Sequence, residues 1–384
     1  MLSGSTLEPE WSFLLAACSS ETTGKKTERA WPHDRLRWEL LFSVAERHGV
    51  LPLLFEALQQ EPDIVPVEWM QSLKLSYQAN LHKSFLLSRE LIRITQHLSD
   101  HNIESLPYKG LALAELLYGD IALRQAGDID LLLRPEDLPR AVSALAAIDY
   151  VQHSGFSAAE QKAYRKSGYE YAFDGPAGRN ILEVQWAFQP RFYAVEFDLD
   201  AVFERAIGIT VAGHRMRTPS LEDHLLTLSV HAAKHMWGRL IWLCDIARLA
   251  ARPDLDWNWT LPQARELGVT RILAVSLMLA NQLLGTAIPA PAQASLARDR
   301  SVKTIGAEIR SSIGSGHSFD VESFAYFRLM GQLRERKADR LRFFSRLALT
   351  PGPSEWQSIR LPTVLFPLYR LVRISRLARR VLRT

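Results

Sequence analysis

The run Gly127-Asp128-Ile129-Asp130-Leu131-Leu132-Leu133 constrains this chain more than any other feature. Its apolar residues suit a short buried strand. In a strand, residues i and i+2 face the same side, so Asp128 and Asp130 project together while Ile129 turns to the core. Two carboxylates held this close repel, and a bound cation is the usual reason to keep them. Mg²⁺ (or Mn²⁺) is a hard ion that takes few carboxylate oxygens and completes its shell with phosphate oxygens. The run therefore predicts a metal-binding strand with Asp128 and Asp130 as ligands.

A third carboxylate is expected from a neighbouring strand. Glu183, in Ile181-Leu182-Glu183-Val184-Gln185-Trp186, has the preferred setting, and Glu170 is its competitor on the other arm of a hairpin. Upstream, Lys109-Gly110 closes one strand and opens a helix. Backbone amides there can face phosphate, glycine allows close approach, and Lys109 adds a cation. Arg124 is a second candidate phosphate contact.

Around these residues the pattern reads as α+β. Helices are expected over 38–48 and 67–98, with Leu91, Ile94 and Leu98 on one face and Pro32, Pro52, Pro62 and Pro66 between elements. Then come a strand at 103–108, a helix at 111–118, the Asp128–Leu133 strand, a helix at 136–148 and an extended stretch opening at Tyr150. A hairpin follows, 169–173 with 180–188, joined by Asp174-Gly175-Pro176-Ala177-Gly178. Helices return at 222–233, 241–251, 262–267 and 271–284, with Ser220 and Gly285 as caps. Residues 285–320 read as the least structured, and 351–362 as a turn-rich linker.

The charge is unevenly placed. The net value is +4, yet Phe366–Thr384 holds six arginines and no acid, which leaves the rest at −2. The basic character is thus poor evidence for nucleic-acid binding by the body. Arg370, Arg373, Arg376, Arg380 and Arg383 recur at helical spacing as one stripe. It could meet an anionic membrane surface or a nucleic acid, or wrap back onto the acidic body. No apolar run approaches the roughly 20 residues of a membrane span. The first ten residues lack a basic leader region, and the two cysteines, Cys18 and Cys244, fit a reducing cytoplasm.

Taken together, Lys109-Gly110, Leu117-Tyr118-Gly119, Arg124 and Asp128-Ile129-Asp130 resemble nucleotidyltransferase-like proteins of the polymerase-beta type superfamily. Within it the chain is similar to a bacterial branch of uncharacterised nucleotidyltransferases (the NTP-transferase 5 type). The resemblance takes in His48-Gly49-Val50, Glu222 to Leu226, His231 to Arg239, Leu243 to Leu249 and the basic C-terminal segment. That branch commonly has a histidine two residues after the third carboxylate, where this chain has Gln185.

The resemblance implies a small mixed-sheet nucleotidyltransferase core at 101–218, flanked by an N-terminal helical region at 1–100 and a C-terminal helical domain at 219–350. A linker and basic tail occupy 351–384. It also implies NMP transfer from an NTP, with ATP the first choice, to a hydroxyl or similar group on a small molecule, peptide natural product or protein. Many such proteins sit in biosynthetic clusters. Asp128, Asp130 and Glu183 would hold the metal and do the catalysis, and Lys109, Gly110, Arg124, Lys234 and Arg239 would meet the nucleotide. The alternative is a non-catalytic accessory protein that keeps the fold to bind a nucleotide or a biosynthetic partner.

His231 and His235 have the i, i+4 spacing of a zinc pair, but Ala232 stands where a metalloprotease has its glutamate, and no third ligand follows. They read as helix-packing residues or as lining of the cleft, with Asp245 as a supporting partner. Trp237, Trp242, Trp257 and Trp259 read as packing residues.

Overall fold

The computed structural model describes residues 8–19, 36–153, 155–313 and 323–381. Met1–Leu7, Pro32, residues 314–320 of the stretch expected to lack structure, and Arg383 lie outside them. Among the described residues four α-helices come first: α1 (Glu8–Cys18), α2 (Trp38–His48), α3 (Leu51–Leu58) and α4 (Val67–Asp100). Gly49 stops α2 by taking a left-handed φ of 72°. The C-terminal half of α4 buries Leu87, Leu91, Ile94 and Leu98 along one stripe, as their spacing predicts.

The sheet follows: β1 (Ser105–Pro107), α5 (Gly110–Tyr118), β2 (Ile129–Leu133), α6 (Leu138–Ala146), β3 (Val151–Gln152), α7 (Ala158–Ser167), β4 (Glu170–Asp174) and β5 (Ile181–Gln185). Its order is β1-β2-β5-β4-β3, mixed in direction, with β2 and β5 parallel and the other neighbours antiparallel. The class is α+β, as expected. A short helix α8 (Leu199–Glu204) and a separate hairpin, β6 (Ile207–Val211) with β7 (His214–Thr218), lead out of it. That hairpin escapes the sequence reading because its turn is Ala212-Gly213, both at positive φ, and alanine is a weak signal for such a turn. Helix α7 escapes it too, although Ser157 and Glu160 form a reciprocal capping box.

Helices then continue as α9 (Leu221–Lys234), α10 (Leu240–Ala250), α11 (Trp257–Glu266), α12 (Thr270–Leu284), α13 (Ala290–Arg298), α14 (Arg300–Ile313), α15 (Phe324–Gln332), α16 (Lys337–Leu349), α17 (Pro353–Ser358) and α18 (Tyr369–Val381). The expected caps are present: the Ser220 hydroxyl accepts from the Asp223 amide, and Gly285 is left-handed at the end of α12. The expectation for 285–320 is corrected by α13 and α14. Val302, Ile305, Ile309 and Ile313 form a buried helical stripe, and Gly306 permits the approach, since a Cβ there would collide with Met278. Helix α11 begins five residues before Pro262 because Asp256 caps the amides of Asn258 and Trp259.

Two main apolar cores result. One joins α1–α3 to α9, α10, α12, α14 and α15, with Trp237 fully buried and Trp242, Trp257 and Trp259 packed against it. The other fills the space between the sheet, α4 and α6, taking Ile129, Leu131 and Leu133 from β2.

The C-terminal helix packs back on the body. Arg373 and Arg376 turn inward to the fully buried Glu355, at 3.3 and 2.7 Å, and Arg373 also donates to the Leu347 carbonyl. Leu371 and Ile374 face outward instead. Removing the carboxylate from such a buried pair leaves uncompensated charge, at a cost of about 3–5 kcal/mol. Glu355→Ala should therefore lower the denaturant midpoint and speed tryptic cleavage within 369–381. An unchanged midpoint with unchanged cleavage would contradict this packing.

Candidate functional site

Strand β2 divides its side chains between two environments. Ile129, Leu131 and Leu133 enter the helix-covered core, while Asp130 lies on the opposite face, buried to 7% exposure. The parallel pairing of β2 with β5 sets Asp130 in register with Glu183. On β4, Ala172 is level with Glu183, while Glu170 is level with Gln185, one step along. Of the two candidates for a third carboxylate, Glu183 is the one in the row of Asp130.

Lys109 stands at the N-terminal boundary of α5 without a side-chain capping bond, and its Nζ lies 3.2 Å from Asp130 Oδ1. The following turn requires glycine: Gly110 has φ 44°, and a Cβ there would sit 3.4 Å from the Asp128 carbonyl. The lysine is thereby drawn against the carboxylate strand. Gln185, fully buried, donates from Nε2 to Asp130 Oδ1 at 3.3 Å and to Glu183 Oε2 at 3.0 Å, while its Oε1 accepts from the Tyr108 hydroxyl. Tyr108 is missed from sequence, although it adjoins Lys109.

The electrostatics follow from this crowding. Burial, then the charges of Asp130, Glu170 and Asp128, push the Glu183 carboxyl up to about 8. Burial and Asp130 raise Asp128 as well. Burial opposes the charge on Lys109, but Asp130, then Tyr108 and Glu183, outweigh it and hold the ammonium above the ordinary lysine value. Carboxylates that resist ionising in one another's presence, with hard oxygen donors and one lysine among them, fit a divalent cation such as Mg²⁺ or Mn²⁺. Among the described residues no three His, Cys, Asp or Glu side chains are preassembled as a ligand set. Lys109 and Gln185 take up the Asp130 oxygen that faces the cluster.

The remaining candidates divide. Arg124 is buried and bound to Asp245, with its Nε 3.0 Å from Oδ2, and its Nη1 reaches the Gly110 carbonyl at 3.5 Å. Asp245 also accepts from the Tyr118 hydroxyl at 2.9 Å. This pair ties α10 to both ends of α5, so Arg124 braces the Lys109-Gly110 turn. Lys234, at the end of α9, donates to the Tyr169 hydroxyl at 3.3 Å, next to Glu170. Burial, then Lys109, lowers its pKa to about 8, against the pull of Glu170 and Glu183. Arg239 is exposed at the start of α10, and its charge helps lower His235.

His231 and His235 pack against each other and around Trp242, with ring centroids 4.8 to 5.4 Å apart. Burial lowers both, His235 to about 4 with Lys234 adding to the effect, so both are neutral at pH 7. The two rings pack on one another, and His235 also lines a cavity together with Tyr169 and Lys234.

Asp130 level with Glu183 on adjacent parallel strands, Asp128 just ahead of β2 and a glycine-opened helix beside them fit a nucleotidyltransferase-like protein. The chain belongs to the uncharacterised nucleotidyltransferase family, whose family model matches residues 34–285, from just before α2 to the cap of α12. Among solved structures it is similar to an antigenic nucleotidyltransferase-like protein from Paracoccidioides brasiliensis. That likeness has 16% identity over 55% of this chain and 95% of the other, with a TM-score of 0.33. No curated protein matches the chain. No described helix is long and apolar enough to cross a membrane.

The raised Glu183 carboxyl fixes a sign for stability. A folded-state pKa above the ordinary value of 4.5 means the folded chain holds its proton more tightly. That contribution is present at low pH and is lost as pH rises from 4.5 through about 8. In metal-free protein, Glu183→Gln should gain stability relative to the parent progressively across that window. Denaturation at several pH values checks this, and a difference that does not grow with pH would contradict the crowding.

Proposed function

We propose that the chain is a metal-dependent nucleotidyltransferase that moves an NMP from an NTP to a hydroxyl or similar group on an acceptor. The observation that carries this reading is the register of Asp130 with Glu183, with Lys109 at 3.2 Å from Asp130. Asp128, Asp130 and Glu183 would hold the cation, which would supply charge neutralisation at the α-phosphate. Lys109 and the amides opening α5 around Gly110 would take the triphosphate. Arg124 would keep that turn in place through Asp245, and Lys234 would line the cleft beside Tyr169. The acceptor oxygen attacks the α-phosphorus, its proton passing to the Glu183 side, while the α–β bridging bond breaks and pyrophosphate leaves. Catalysis on this reading is positioning and electrostatic stabilisation.

A second reading rests on Gln185. It and Lys109 satisfy Asp130 from within the protein, and Gln185 also satisfies Glu183, as a non-catalytic nucleotide-binding or partner-binding module would require. Calorimetry with ATP, CTP, GTP and UTP, with and without Mg²⁺, separates the two. The enzyme reading expects Mg²⁺-dependent binding of one nucleotide and its loss in Asp128→Asn plus Asp130→Asn. It also expects each single variant to lose about 100-fold or more in transfer rate, the scale on which preorganised charge acts. Binding indifferent to both metal and the aspartates would favour the module.

A further inference from the structure

Around Tyr169 and Lys234 lies a cavity of about 330 Å³, a size that suits a small ligand. Its floor is Tyr169, Lys234 and His235, and its roof comes from the returning chain between Tyr326 and Leu377. That roof lies beyond the stretch matched by the family, which ends at residue 285. Five aromatic rings line the space: Tyr164, Tyr169, Phe192, Tyr326 and Phe327. The Tyr169 side chain hydrogen-bonds Glu170, whose partner in the sheet is Gln185, so the floor adjoins the carboxylate row. Lys109 and the α5 turn meet that row at Asp130 instead, leaving the Glu183 and Glu170 side for a second reactant.

We propose that this cavity is the acceptor site and that it takes a compound bearing an aromatic ring, with the reacting hydroxyl at the floor beside Lys234. This rests on the transfer reading above. The rings match a flat aromatic body, since aromatic pairs gain from edge and offset contact beyond plain burial. The Lys234 ammonium, 3.3 Å from the Tyr169 oxygen, is a donor placed for a second hydroxyl at the same level. In the reaction the acceptor oxygen forms the new bond to the α-phosphorus, its proton passes to a carboxylate of the row, and the bond to the α–β bridging oxygen breaks, its electron pair leaving on pyrophosphate.

The probe is 2-naphthol, titrated by fluorescence into the full chain without metal or nucleotide, with 2-methylnaphthalene as its hydroxyl-free isostere. Saturable binding is expected. Thr350→Trp, which fills the cavity, should weaken it about tenfold or more, and Phe327→Ala should weaken it too. Lys234→Met should shift the naphthol-to-methylnaphthalene affinity ratio about fivefold towards the isostere, the worth of one hydrogen bond. Unchanged binding in both cavity variants, an unchanged ratio in Lys234→Met, or simple competition by ATP alone would overturn the proposal. Because these titrations need no nucleotide, failure of metal-dependent NTP binding would sink the transfer reading while leaving the ring-binding result to stand or fall separately.

Discussion

Everything at this site depends on carboxylates that repel one another yet are held in one row. Parallel pairing of β2 and β5 leaves Asp130 and Glu183 no freedom to separate, because the backbone ladder fixes their level. The opposite side chains of β2 are locked into the apolar core. A one-residue slip would turn Ile129 and Leu131 outward and Asp130 inward, so the core protects the register. The cost of the crowding appears in the raised Glu183 and Asp128 carboxyls, and it is offset in part by Lys109 and Gln185.

The rest of the molecule serves that row in layers. Arg124 and Asp245 brace α5 from the helical side, so the turn that carries Lys109 is tied to α10 across a buried ion pair. The α1–α3 helices share a core with those that follow residue 219, and Leu113 of α5 joins that core. The C-terminal chain then folds back, anchored by Glu355, and completes a cavity next to the carboxylates. The arginine stripe is thus partly inward-facing: Arg373 and Arg376 serve packing, whereas Arg370 is exposed.

Much of this was legible in the sequence, for local reasons. Asp128-Ile129-Asp130 announces a strand with a polar face through its period of two, and Lys109-Gly110 announces a strand-to-helix turn. Helix α2 and the caps at Ser220 and Gly285 follow from standard signals. What stayed hidden depends on contacts between distant segments. Nothing local says that Arg124 faces Asp245, 121 residues away, or that Gln185 bridges two acids. The α14 stripe was obscured by Gly306, whose reason is the approach of Met278.

The most direct test is the titration of the Glu183 side chain by carboxyl-selective NMR, with and without Mg²⁺, using Glu183→Gln for assignment. In metal-free protein the carboxyl should titrate near 8. Saturating Mg²⁺ should carry it back towards the ordinary carboxylate range, because a bound cation favours the ionised form. A Glu183 titration that Mg²⁺ leaves unmoved would contradict the claim that this row of acids is built to hold a metal ion.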